Sequence, residues 1–140
     1  MIRSLIRIAG IAWASPYTLL GMAIGALGLV TGGSVRVRAG AIEFFGGGVR
    51  WFVAHLPTGP MTLAITFGHT ILGQTEAALD VAGDHERVHV RQYECWGPLM
   101  GPAYLLCSLW LFLRGKRAYH DNPFEQEAER LTGGEEFRGE

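Results

Sequence analysis

The 140 residues suffice for one compact domain plus an accessory segment, and no internal repeat or low-complexity tract divides them. Lys and Arg number 12 against 13 Asp and Glu, a net charge of −1 without a basic cluster, so no nucleic-acid partner is expected. The two cysteines, Cys95 and Cys107, fall in predicted apolar helices, so neither a disulfide framework nor a cysteine-rich metal site is indicated.

The chain opens on a hydrophobic segment. From Ile8 to Gly33 no charged residue occurs, with Arg3 and Arg7 before the run and Arg36 and Arg38 after it. A helix of that length covers a hydrocarbon core of ~30 Å, so residues 1–33 read as a retained transmembrane anchor. Ala12-Trp13-Ala14 has the form of a signal-peptide cleavage site, yet the apolar stretch before it, Ile8 to Ile11, is too short for a signal core. Gly21, Gly25 and Gly28 mark one side of the helix. The Gly21-x-x-x-Gly25 spacing suits close packing against another helix, from this chain or from a second copy in a homo-oligomer. Because two basic residues flank each end, charge bias does not orient the segment.

Residues 34–74 change period. Val35-Arg36-Val37-Arg38 and Ile42-Glu43-Phe44 alternate, Val49 to Val53 is rich in aromatic and β-branched residues, and Met61 to Phe67 and His69 to Leu72 continue the pattern. Gly46-Gly47-Gly48 and Pro57-Thr58-Gly59-Pro60 punctuate these runs as turns. Four or five short strands in a small, mostly antiparallel sheet are expected, which with the helices around it makes an α+β fold.

His85-Glu86-Arg87-Val88-His89 follows, in the pattern H-E-x-x-H. Positions i and i+4 of a helix share a face, so two imidazoles at this spacing can bind one zinc ion while the glutamate beside the first reaches a water on the metal. Gly83-Asp84 before the motif reads as a helix start with Asp84 as N-cap, and Gly97-Pro98 as its stop, giving a helix of about 12 residues. Two histidines leave zinc one protein ligand short, and a His, Asp or Glu downstream should supply it. After His120-Asp121, Asn122-Pro123 forms an N-cap and a first-turn proline for a helix reading Phe124-Glu125-Gln126-Glu127-Ala128-Glu129-Arg130-Leu131. Phe124, Ala128 and Leu131 form its apolar stripe, with Glu125 and Glu127 on the two flanks, so helix geometry does not choose between them.

H-E-x-x-H followed by a later helix carrying Glu-x-x-Ala resembles the gluzincin class of zinc metallopeptidases, over residues 80–131. The resemblance implies that His85, His89 and Glu125 are the zinc ligands, that Glu86 is the general base, and that Ala128 lets the two helices approach. Where many relatives have Asp after that alanine, this chain has Glu129. It also implies a polypeptide substrate, hydrolysed by a zinc-activated water whose proton Glu86 takes and passes to the leaving amine. A developing oxyanion needs one further donor, and Tyr93, His120 and His69 are candidates.

Gly97 to Leu113 is apolar for 17 residues, a borderline second span. A simple crossing would put His89 and Glu125 on opposite sides of the bilayer, although ligands must lie within ~2 Å of one zinc. The eight residues 114–121 hold Arg114, Lys116, Arg117, His120 and Asp121 and cannot return through lipid. The segment is therefore expected in the interface or bent at Gly101-Pro102 beside the anchor, with a buried core helix as the alternative. The whole reads as an integral membrane protein of bacterial inner-membrane type, in contact with lipid. It comprises an anchor (1–33), a minimal metallopeptidase domain (34–131) and a flexible tail (132–140). The rival reading is a small membrane protein with a structural or non-catalytic zinc site.

Overall fold

The computed structural model describes residues 1–133, so most of the expected tail, 134–140, lies outside the described residues. The chain is α+β. Helix α1 (Ile2–Val30) leads into the β1 (Ser34–Arg38) and β2 (Ala41–Phe45) hairpin, then α2 (Gly47–Ala54). The hairpin of β3 (Ala64–Phe67) and β4 (Thr70–Gly73) precedes α3 (Glu76–Trp96), a 3-10 turn at Gly97–Leu99, α4 (Met100–Leu113) and α5 (Pro123–Leu131).

The strands form one sheet in the order β1-β2-β4-β3. Both hairpins are antiparallel, whereas β2 and β4 pair in parallel, Ile42 opposite Thr70 and Phe45 opposite Gly73. The parallel pairing follows from α2, which occupies the place expected for a strand. Val49 and Val53 are buried four residues apart, the spacing of one helical face, and together they pack with Phe44 and Leu72. The Gly46-Gly47-Gly48 turn opens that helix: φ is 76° at Gly46 and 52° at Gly47, and Thr31 Oγ1 accepts from the Gly48 amide at 2.8 Å.

Strand alternation divides the core into two layers. Ala41, Ala64 and Ile71 face α3, where they bury Leu79 and Val90; Phe44 and Leu72 face the other way, with Ile24 of α1 and α2 over them. The glycines of α1 belong to this second layer. A Cβ on Gly25 would run into the Phe44 ring, and those on Gly21 and Gly28 would meet Thr70 and Val49. Gly21 and Gly25 therefore pack on the sheet, not on another helix as their spacing suggests, while Gly28 meets α2 of the same chain. Aromatic and β-branched side chains fill the space that the missing Cβ atoms leave.

Arg36 and Arg38, which flank the apolar run in sequence, are tied to α3. Arg36 Nε donates to the fully buried Glu43 at 2.6 Å and Nη2 to Asp80 at 2.9 Å, while Arg38 Nη2 donates to the Leu79 carbonyl at 3.1 Å. That arginine explains a second correction. A Cβ on Gly83 would meet Arg38 Nη2 at 2.5 Å, so the glycine clears a path across α3 instead of preceding it. The helix starts eight residues earlier than Asp84, at Glu76, with Thr75 Oγ1 accepting from the Ala78 amide at 3.0 Å; Asp84 pairs with Arg87 at 2.6 Å.

Two helical stretches are long and apolar enough to cross a membrane: Ile2–Val30, and the continuous Glu76–Leu113, apolar from Trp96 onward. The helix stop expected at Gly97-Pro98 appears as the 3-10 turn Gly97–Leu99, where Gly97 has φ 54°, and α4 runs on through Gly101-Pro102, the alternative place for a bend. Met100 is the buried residue of α4, while Leu105, Leu106, Leu109, Trp110, Phe112 and Leu113 are exposed, so α4 is not a core helix. The returning residues lie back along it: Ser108 Oγ donates to the Ala118 carbonyl at 2.9 Å and Asn122 Nδ2 to the Tyr104 carbonyl at 3.1 Å.

Candidate metal centre

Two helices meet at the motif. Residues 85 and 89 project from one face of α3, one turn apart. Opposite them, α5 begins where its residues demand a start: Asn122 Oδ1 accepts from the Phe124 amide at 3.0 Å and Pro123 occupies the first helical position. Asn122 is fully buried and its Nδ2 also donates to Ser108 Oγ at 2.9 Å, so the cap fixes α5 to α4. Glu125 therefore falls in the first turn, facing α3. The buried stripe of α5 is Phe124, Glu125 and Ala128, whereas Leu131, expected within it, is exposed.

His85 Nε2 lies 2.9 Å from Glu125 Oε2, His89 Nε2 lies 3.2 Å from the same oxygen, and the two imidazole nitrogens are 3.3 Å apart. Ligands at ~2.0–2.1 Å from a tetrahedral zinc stand about 3.3 Å from one another, so the three atoms fit one ion closely. The hydrogen bonds around His89 strengthen the fit. Gln92 Nε2 donates to the Phe124 carbonyl at 3.0 Å and to Glu127 Oε1 at 3.1 Å, which turns Gln92 Oε1 toward His89 Nδ1 at 2.8 Å. An acceptor there requires Nδ1 to carry the proton, and the Nε2 lone pair of a neutral His89 then points at carboxylate lone pairs. A cation between them would satisfy both groups. Without a metal, a proton serves: burial would lower the pKa of His89, but Glu125 and Glu86 raise it to about 9. Burial would likewise raise Glu125, yet the bonds from His85 and His89 bring it down to about 2.

Glu86 is buried beside this cluster. Its Oε2 accepts from Thr66 Oγ1 of β3 at 2.6 Å, and burial pushes its pKa up. Two neighbouring carboxylates thus differ in proton affinity, Glu125 held ionised by imidazoles and Glu86 poised to take a proton. On the far side, Tyr104 of α4 donates to Glu125 Oε1 at 2.8 Å, leaving Oε2 to the histidines. The Tyr119 phenol also senses Glu125, and burial and that carboxylate push its pKa up.

The residues singled out from sequence separate into two groups. His85, Glu86, His89 and Glu125 converge; Glu127 is exposed and holds Gln92 instead of facing the imidazoles. Tyr93 is buried against Tyr17, Ala14, Met100 and Phe124, without a hydrogen bond to Glu86, His85, His89 or Glu125. Its offset from His89 turns it into the helix-helix core. His120 is exposed and stacks edge-on against Tyr119, because the turn before α5 points it outward. His69 bonds Glu94 at 2.7 Å on a different face of α3. None of these three candidate donors reaches the cluster. Thr66, Gln92, Tyr104 and Tyr119 surround it unanticipated; only Gln92, one turn after His89, carried a local signal.

Comparison with known family models, with curated proteins and with solved structures finds no match for the chain.

Proposed function

We propose that the protein is a membrane-associated, zinc-dependent endopeptidase of gluzincin type. The observation that carries this reading is the convergence of His85 Nε2, His89 Nε2 and Glu125 Oε2 beside a buried Glu86. A purely structural site has no use for that last carboxylate, and it would usually close the fourth position with protein.

When bound, zinc supplies a Lewis acid that brings the pKa of a water toward ~7 and polarises a carbonyl. The chain's own residues do the rest. Glu86 accepts the proton of the attacking water and delivers it to the departing amine, its raised pKa suiting both halves of the transfer. Thr66 fixes which carboxylate oxygen of Glu86 remains free. Gln92 holds His89 in one tautomer, and Tyr104 keeps Glu125 turned so that a single oxygen faces the imidazoles.

Membrane association is supported by the exposed apolar faces of α1 and α4, from Ile2 to Val30 and from Leu105 to Leu113. Contiguous apolar surface on this scale is rare on soluble monomers. Arg114, stacked 4.5 Å over the Trp110 ring, begins a basic turn suited to headgroup level at the end of α4. Substrate would accordingly be polypeptide close to the membrane.

Metal content, read by elemental analysis beside a protease assay on an unstructured polypeptide, tests the proposal. Wild type should carry about one zinc per chain and cleave; His85→Ala should lose both properties. Native, folded wild type without metal would remove the zinc reading, and one zinc without cleavage of any polypeptide would favour a non-catalytic site.

A further inference from the structure

A cavity of about 200 Å³ lies between α1, the β1–β2 turn, the start of β4 and α3. It stands apart from the metal centre: its α3 side chains, Arg87, Arg91 and Glu94, occupy the face turned away from His85 and His89. Arg7 reaches in from α1, and its Nη2 hangs over the turn, 3.7 Å from where a Cβ on Gly40 would be. The helices cross closely, since a Cβ on Gly10 would sit 3.3 Å from Glu94 Cβ.

Three guanidinium groups therefore line one small concavity, and the carboxylate there is engaged, Glu94 binding His69 at 2.7 Å. Neither Arg7 nor Arg91 has a carboxylate within ion-pair distance among the described residues, whereas Arg87 is held by Asp84 at 2.6 Å and by the buried Glu43 at 3.5 Å. Arg87 Nη1 makes no hydrogen bond but stands 3.5 Å from Glu43 Oε1, and the buried His69 Nδ1 has no partner among the described residues. Arg7 and Arg91 therefore bring two unpaired guanidinium charges to one concavity, where a counter-charge would offset their mutual repulsion. A multi-oxygen anion supplies that counter-charge, and phosphate matches the guanidinium fork best.

The wall of the cavity narrows the source. Ile11 lines it, and Ile2, Leu5, Ile6 and Ile8 continue from it along α1 as exposed apolar surface. A ligand with phosphate at one end and hydrocarbon at the other would satisfy both surfaces. We propose that this cavity binds the phosphate group of an anionic phospholipid whose acyl chains lie along the first turns of α1. The site needs no zinc and makes no demand on the peptidase reading.

Isothermal titration calorimetry on the full chain in nonionic detergent provides the test, with dihexanoyl phosphatidylglycerol, dihexanoyl phosphatidylcholine and inorganic phosphate as titrants. Wild type should bind about one phosphatidylglycerol, and Arg7→Gln with Arg91→Gln should weaken it at least ~10-fold. Arg3→Gln with Arg50→Gln, the same charge change outside the cavity, should shift it less than ~2-fold. If the first pair does not fold, Arg7→Gln alone carries the comparison. Inorganic phosphate binding as tightly as the lipid would overturn the lipid assignment in favour of a free-phosphate site. Equal binding of phosphatidylcholine, equal loss in both pairs, or no saturable binding would overturn the site.

Discussion

Glu86 and Glu125 are both buried carboxylates within reach of the same two imidazoles, yet their surroundings assign them different work. Replacing Glu86 by Gln keeps its volume and an oxygen for Thr66, and leaves the three convergent ligand atoms in place. Zinc content should be unchanged while hydrolysis falls by about 10²- to 10⁴-fold, the usual loss for one general base. Activity that survived would assign hydrolysis to another site. Glu125→Gln, by contrast, should strip metal, and Glu127→Gln should act only through Gln92, as should Tyr104→Phe through Glu125. Losses of roughly 10- to 100-fold in zinc affinity are typical when a ligand's supporting partner is removed, so competition with a chelator should rank the variants: Glu125→Gln weakest, the other two intermediate. Equal retention in all three would sink the ligand assignment. The sequence carried the local half of this arrangement, because i, i+4 spacing dictates a shared face. It could not choose between Glu125 and Glu127, which flank the apolar stripe alike, nor reveal Thr66 and Tyr104, whose distance along the chain leaves no periodic trace.

Elements were legible where caps and period agreed and were misread where glycine served packing. Asn122-Pro123 opened α5 as expected because cap and first-turn proline act within three residues. Gly83 and the Gly46–Gly48 run were read as punctuation, but the first admits Arg38 and the second lets α2 begin against Thr31. The stripe on α1 gives the same lesson a measurable form. Gly25→Val would drive a branched side chain into the Phe44 ring, an overpacking that costs on the order of 1–3 kcal/mol, with a lower thermal midpoint as the observable. If instead the stripe faced a second copy, the substitution would change oligomeric state, read by light scattering, and leave the midpoint of the separated chain unchanged.

Across the whole molecule, a chain with much exposed apolar helix keeps the His85, His89 and Glu125 cluster at the root of one of those helices. α4 departs from the site at Tyr104, which touches Glu125, and the chain returns along it to place Asn122 back beside Tyr104. The Ser108–Ala118 and Asn122–Ser108 hydrogen bonds bind the return to the helix, so Lys116, Arg117 and Asp121 travel with α4. A crossing helix would carry those charges into hydrocarbon at ~2.5–3.5 kcal/mol each on insertion scales, whereas a helix lying in the interface keeps them wet and its leucines in lipid. Both ends of α4 should therefore face one compartment. With Cys95 and Cys107 changed to Ser, single cysteines at Leu99 and at Lys116 bracket the helix. In sealed, oriented vesicles a membrane-impermeant maleimide should label both positions from the same side. Labelling from opposite sides would mean that α4 crosses, and would require the bonds tying 118 and 122 to it to be broken in the membrane.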